Sequence, residues 1–353
     1  MNKLFAALLA LTLTGWALTG CRAVQPSSSG FDRYVALGDS LTAGMQSGGL
    51  TAPMQRASFP VVLSQLAGSP ITAPETRDPG CPPPQGQFKL SLSLCVRRDF
   101  FSNPGNLGVP GARVEDVYTR NAQNAPTVLQ PLYGLILGPQ DTQVGAARRL
   151  QPRFVTVWVG ANEVLGATLD GHPDRATPPE QFEQNYAHLL DALAPLNAHV
   201  IVLTVPDVST VPSLIPGPRL FALGLGDKSC AASPNRIAVR TLRRAPKPAS
   251  CGAPYALTPD EIALAQRTVT AYNVSIRRLA QQHGDAVYDA NELLKITTLR
   301  IYDPASSQPF GPDFSLDGVH PSSAGYAKVA RGLAAFIDKT YGTRIRAGLP
   351  TSF

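Results

Sequence analysis

Histidine is scarce in this chain, 5 in 353 residues, and cysteine is as rare, at 5. No two histidines stand one helical turn apart and no Cys-x-x-Cys occurs, so the ligand spacings of a zinc site are missing. Nowhere is there a run of about 20 uninterrupted apolar residues of the kind that spans a bilayer as a helix. Charge is nearly balanced, with 31 Lys and Arg against 25 Asp and Glu. The densest basic run is Arg236, Arg240, Arg243, Arg244 and Lys247. It lacks the motifs and interleaved aromatics of a nucleic-acid surface. A solvated loop is the simpler reading, with anionic headgroups or wall polymers as the other partners it would suit. No internal repeat is visible. Neither a metal nor an organic cofactor is expected.

The first residues point to export. Lys3 supplies a short positive start, and Leu4 to Leu18 is apolar apart from threonines, Gly15 and Trp16. Small residues follow, as at the end of a secretory signal peptide. The sequence Leu18-Thr19-Gly20-Cys21 resembles the lipobox of bacterial lipoproteins. That resemblance implies removal of residues 1–20 and a lipid on Cys21, with the protein held at the cell envelope. Residues 21–30 are small, polar and turn-prone, and read as a flexible tether. Cys81, Cys95, Cys230 and Cys251 remain, an even number that fits an oxidising compartment. Four cysteines allow three pairings. Cys81–Cys95 with Cys230–Cys251 is the simplest, since each bridge closes one local loop.

After residue 30, short apolar runs alternate with amphipathic segments. Tyr34 to Leu37, Phe154 to Val159, His199 to Val205 and Ala286 to Asp289 read as buried strands. Helices are expected over Ser58–Leu66, from Arg113 to Thr119, over Pro178–Leu193, from Thr258 to about Gln282, and over Ser322–Tyr341. Residues 69–105 and 206–257 break the pattern, collect Pro and Gly, and each hold one cysteine pair, so they read as insertions. Such alternation predicts a three-layer α/β/α fold with a central, mostly parallel sheet over residues 31–345. Right-handed crossovers would put the strand ends that carry a site along one edge.

Two segments carry chemistry. Gly38-Asp39-Ser40-Leu41 follows the first strand directly, so a serine hydroxyl would stand beside a helix N-terminus with unpaired N–H groups. A Gly-Asp-Ser turn that only caps a helix fits the four letters equally well. Near the other end, Asp317-Gly318-Val319-His320-Pro321 sets a carboxylate three residues before a histidine. That spacing suits an Asp that holds Nδ1–H and leaves Nε2 facing a serine. A turn-capping Asp beside an exposed His is the blander reading.

Together these blocks resemble the first and last signatures of SGNH (GDSL) hydrolases. Asn106-Leu107-Gly108-Val109-Pro110-Gly111-Ala112 is similar to the family's glycine block, and Gly160-Ala161-Asn162-Glu163 to its Gly-x-Asn-Asp block. The four lie in family order, between about residues 31 and 341. The resemblance implies a flavodoxin-like SGNH fold and hydrolysis of acyl esters through an acyl-serine. It makes Ser40 the nucleophile, His320 the general base and Asp317 its orienting partner. Oxyanion donors would be the backbone N–H groups of Ser40 and Gly111 and the side-chain amide of Asn162. Gly111 would serve by letting the backbone come close. Glu163 departs from the family's Asp at a position outside the catalytic set, with an expected difference in hydrogen bonding around Asn162.

His172, His188, His199 and His283 lack an acidic partner at that spacing and are expected at the surface or in caps. Asp207 is expected in a turn and Trp158 in the core. The substrate stays open between a lipid or other acyl ester and an acetylated envelope glycan. A non-catalytic surface-binding lipoprotein is the reading from another class. Apolar residues of the insertions, namely Phe88, Leu90, Leu92, Leu94, Leu214, Ile215, Leu220 and Phe221, would line an acyl groove or form satellite cores beside the disulfides. A monomer is expected.

Overall fold

A computed structural model describes residues 29–85, 95–99, 103–296 and 301–345. The leader, Cys21 and the apolar residues Phe88, Leu90, Leu92 and Leu94 lie outside the described residues. Four strands build a parallel sheet in the order β1 (Tyr34–Gly38), β2 (Phe154–Trp158), β3 (His199–Leu203) and, below, β6. Two three-residue strands, β4 (Leu214–Pro216) and β5 (Arg236–Ala238), pair antiparallel apart from it. Strand β6 (Ala286–Tyr288) pairs with β3. On its other edge β1 takes up Asn106 in a parallel bridge. There the Ala36 N–H donates to Gly105 O at 2.8 Å and Leu107 N–H to Ala36 O at 2.9 Å. The added segment gives the sheet the 2-1-3-4-5 order of flavodoxin-like folds, whose switch point lies between β1 and β2.

The strands are buried on both faces, so they read as continuous apolar runs rather than as alternation. Their side chains still divide between two cores. Val35, Leu37, Val155, Val157, Val200 and Val202 join one core with the helices Pro179–Leu193 and Pro259–His283. Phe154, Trp158, Ile201 and Leu203 join the other with Phe59–Leu66 and Ser323–Tyr341. The result is the expected α/β/α layering. In the first core Phe182 stacks on Tyr272 at 3.9 Å between ring centroids. In the second Trp158 meets Phe59 edge-on and donates Nε1–H to Thr204 O.

The long helices carry legible ends. Thr258 and Glu261 form a reciprocal capping box on the Pro259–His283 helix, and Gly284 closes it in the left-handed region. Ser322 caps the last helix through Gly325 N–H. Elsewhere the structure departs from expectation. The segment from Arg113 turns helical only at Asp116–Thr119. Helices Gln130–Leu137 and Gln143–Leu150 occupy a stretch for which the sequence pattern predicts none. Each is eight residues long, two turns, too short for a 3.6-residue period to stand out.

Both cysteine pairs are the local ones, Cys81–Cys95 and Cys230–Cys251. The second insertion has its own core. Ile215 and Leu220 pack with Cys230, Ile237, Cys251 and Phe310. Leu214 joins Leu169, Ala238 and Leu257 in a smaller cluster, while Phe221 is exposed. The satellite-core reading therefore holds for the described residues of that insertion.

Candidate active site

Strand β1 ends at Gly38, with φ 149°, where an added Cβ would fall 2.1 Å from Trp158 O. Only glycine lets β1 turn this close to β2. Gln143 clasps the turn from below with both ends of its amide. Its Oε1 accepts Gly38 N–H at 2.8 Å and its Nε2 donates to Gly38 O at 3.0 Å. Asp39 then caps the short helix Ser40–Ala43 by accepting Leu41 N–H at 2.9 Å. Ser40 heads that helix, and its own N–H has no acceptor among the described residues.

The far end of the chain folds back onto this turn. His320 Nε2 lies 2.9 Å from Ser40 Oγ, and His320 Nδ1 lies 2.7 Å from Asp317 Oδ2. A carboxylate only accepts, so Nδ1 carries the proton and Nε2 presents its lone pair to the serine hydroxyl. Asp317 is fixed on every side. Oδ1 accepts from Val319 N–H, His320 N–H and Ser315 Oγ, and Oδ2 also accepts Gly48 N–H at 2.8 Å. Behind the serine, the Tyr326 hydroxyl donates to Met45 O at 2.9 Å.

Electrostatics follow this geometry. Burial alone would raise the Asp317 carboxyl, but the His320 charge and the donated hydrogen bonds outweigh it and hold it well below the usual carboxylate range. Burial alone would lower His320. The charge and hydrogen bond of Asp317, with Asp39 further off, outweigh it and raise the imidazole above its ordinary 6.5. Asp39 itself is pushed up to about 7, because burial outweighs its bond from Leu41 and the nearby His320 charge.

Gly111 and Asn162 line one cavity with Ser40, Asp317 and His320, of about 450 Å³. Gly111 has φ 82°, and a Cβ there would meet no atom within 4 Å. The left-handed backbone favours glycine here, and the side that a Cβ would occupy is open. The Gly111 N–H also lacks an acceptor among the described residues. Asn162 Nδ2 donates to Ala112 O at 2.9 Å and makes a longer 3.4 Å contact to Asp39 Oδ2.

Glu163 occupies the position where the family pattern has Asp. It is buried, and its Oε1 accepts Val114 N–H at 2.7 Å, pinning the Gly111 loop to the Asn162 turn. Its Oε2 has no partner among the described residues. Gln143, Gly48 and Ser315 are the positioning residues that the sequence reading missed. Gln143 and Gly48 act on residues distant in the chain, and Ser315 carries no recognised motif.

The remaining candidates behave as expected. His188, His199 and His283 are exposed, His199 stacking with Phe154 and Tyr341, and His172 sits half-buried at the start of a short turn. Asp207 accepts Ser209 N–H in a turn, and Trp158 is core.

Burial pushes the Glu163 carboxyl up from 4.5 to about 7, against the lowering bond from Val114. A carboxyl raised in the folded state contributes stability in full below its unfolded value, and loses it as pH rises through about 7. Glu163→Gln keeps the acceptor for Val114 and removes the ionisation. The variant should gain on wild type between pH 5 and pH 8, by on the order of 2 kcal/mol. Urea unfolding at the two pH values reads this directly. A wild type–variant difference that is the same at both would contradict it.

The profile of GDSL-like Lipase/Acylhydrolase matches residues 34–333, from β1 into the last helix. No curated protein sequence matches. Among solved structures, LAE5, an alpha/beta hydrolase enzyme from the metagenome of Lake Arreo, is 20% identical, with 87% of this chain and 95% of that chain covered and a TM-score of 0.40. The acetylxylan esterase Axe2 from Geobacillus stearothermophilus is 15% identical, covering 92% of this chain and 97% of its own, with a TM-score of 0.40. With nearly the whole folded chain inside the family profile, from the Gly-Asp-Ser turn to the helix after His320, this protein belongs to the GDSL-like lipase/acylhydrolase family.

Proposed function

We propose that the protein is an exported serine esterase, tethered to a membrane by a lipid on Cys21, that hydrolyses acyl esters. The observation that carries this reading is the unbroken chain Ser40 Oγ, His320 Nε2, His320 Nδ1, Asp317 Oδ2, with contacts of 2.9 and 2.7 Å. Those distances are within hydrogen-bond reach for a nucleophile, its base and the group that orients the base.

Each step has a residue. Ser40 Oγ attacks the ester carbonyl while its proton passes to His320 Nε2. Asp317 stabilises the imidazolium and stays ionised, in keeping with its depressed pKa. The carbonyl oxygen becomes an oxyanion, met by the Ser40 and Gly111 N–H groups and by Asn162. One Asn162 proton is held by Ala112 O, and the other, with only the 3.4 Å contact to Asp39, turns to the oxyanion. Collapse expels the alcohol, which takes the proton from His320. Water then attacks the acyl-serine by the same route and releases the acid. Each oxyanion donor is worth about 3 to 4 kcal/mol of barrier.

A second reading, removal of acetyl groups from an envelope polysaccharide, uses the same atoms and differs in chain length. A para-nitrophenyl ester series from acetate to palmitate separates the two. Wild type should hydrolyse it with a rate that rises with chain length, because the cavity is walled by Leu129, Leu132, Leu165 and Leu169. Ser40→Ala should lose on the order of 10⁴-fold or more in kcat. Equal rates for the two proteins would end the serine mechanism, and activity confined to acetate would favour the deacetylase.

His320 must be neutral to act as base, and its pKa is raised. The acid limb of kcat/KM should therefore have its midpoint above 6.5, and Asp317→Asn should move that midpoint down while cutting the rate by about 10⁴-fold. A limb at or below 6.5 in wild type would contradict the pairing. For the anchor, Cys21→Ser should shift the protein from the membrane fraction to the soluble fraction of the envelope. Continued sedimentation with membranes would refute a lipid on Cys21.

A further inference from the structure

The basic run of the second insertion is largely exposed, and part of it borders the site. Arg240 and Arg243, one helical turn apart, both line the cavity that holds Ser40, Gly111, Asn162 and His320. Arg240 is committed: it pairs with Asp170 at 2.8 Å and donates to Gly166 O. Arg243 is in no ion pair among the described residues. Its one side-chain partner there is a neutral one, Gln85 Oε1, at 2.6 Å. Arg236, Arg244 and Lys247 form no ion pair among the described residues either, but Arg240 and Arg243 are the two of the run that line the cavity, so the uncompensated positive charge at its rim is that of Arg243.

Gln85 ties that rim to the chemistry. Its backbone N–H donates to Ser47 O, and its side chain packs over Gly48, whose own N–H donates to Asp317 Oδ2. The guanidinium is thus fastened, through one carboxamide and one glycine, to the carboxylate that orients His320. It keeps the rest of its donor fork unused. A guanidinium fork fits a carboxylate or phosphate with two parallel bonds. Against it stands an apolar wall, Leu129, Leu132, Leu165, Leu169, Val239 and Val319. A cavity of about 450 Å³ holds a drug-sized ligand.

We infer that Arg243 is a specificity-determining residue that selects acyl esters bearing a phosphate or carboxylate, the apolar chain lying on the leucine wall and the anion on the guanidinium. The inference rests on the serine esterase reading of the same cavity. It takes up a basic run that the fold does not otherwise employ, and it names a substrate class for the site. The anion has two possible places, on the alcohol side, as in a glycerophosphate ester, or on the acyl side, as in a dicarboxylic half-ester.

The test compares kcat/KM for matched pairs with the detergent-purified protein. One pair is 1-decanoylglycerol 3-phosphate and 1-decanoylglycerol, for the alcohol side. The other is the 4-nitrophenyl half-ester of glutaric acid and 4-nitrophenyl butyrate, for the acyl side. In one pair the anionic ester should be preferred by about tenfold or more, as expected of a hydrogen bond to a charged group. The pair that shows the preference identifies the side. Arg243→Met should erase most of that ratio, Arg243→Lys should keep part of it, and added salt should lower it. Gln85→Ala, which removes the bridge but not the charge, should lower the ratio less than Arg243→Met does, and thermal melts of each variant report folding separately. A ratio near one in both pairs overturns the inference. So does a ratio untouched by Arg243→Met, or one lowered as far by Gln85→Ala. Failure of wild type to hydrolyse even the neutral esters is a different result: it overturns the esterase reading itself.

Discussion

One carboxylate holds the candidate site together. Asp317 accepts five hydrogen bonds, from Ser315, Val319, the backbone and ring of His320, and Gly48. Four of these are local to its own loop. The fifth, from Gly48, is not, and with the His320–Ser40, Ser47–Ser315 and Tyr326–Met45 contacts it closes the far end of the chain onto the first strand turn. A buried carboxylate left short of acceptable partners costs several kcal/mol. The loop therefore cannot drift from Gly48 without stranding that charge. The same bonds orient His320, so the need to satisfy a buried anion and the need to aim a base have one solution.

A second layer does the same for the serine turn. Gln143 satisfies Gly38 on both its N–H and C=O. Asp39 caps the helix that follows, and Glu163 grips Val114 beside the glycine loop. Asp39 and Glu163 are both buried with raised pKa values, and the Asp39 charge is one of the factors that raises Glu163. Two like charges in a dry place discourage each other. Burial and this repulsion hold both carboxyls toward the neutral form. That coupling bears on the donor most exposed to it, since Asn162 Nδ2 shares one contact with Asp39.

How much of this was legible depended on whether the signal was local. The strand runs were readable because both faces of the sheet are covered, so Phe154 to Val159 needed no partner to look apolar. Ser40, Asp317 and His320 were readable because the strand-to-helix turn and the Asp-x-x-His loop each carry their logic within a few residues. Gln143 was not, because its partner Gly38 is distant in sequence and its helix is too short to show a period. Gly111 was legible from its block, while its left-handed backbone, φ 82°, was not. The β4–β5 pair was hidden as well, since three residues per strand cannot display alternation, and its register is set by the small core around Cys230 and Cys251 rather than by pattern.

The insertions make sense in the same terms. The sheet supplies, at its switch point, the turn of Ser40 and the proposed oxyanion donors, but it offers only one wall. The rest of the cavity comes from other segments, among them Pro82 and Gln85 from the first insertion and Ser213, Val239, Arg240 and Arg243 from the second. Each of the two carries one disulfide, which restricts its unfolded chain, and the second packs a small core around its own. The Arg243–Gln85 hydrogen bond joins the two insertions across the cavity mouth. An exposed bond of this kind contributes little to stability. Its consequence is positional, since it holds a charged side chain in one orientation over the site, and a wall built from inserted loops can change its charge without disturbing the five bonds on Asp317.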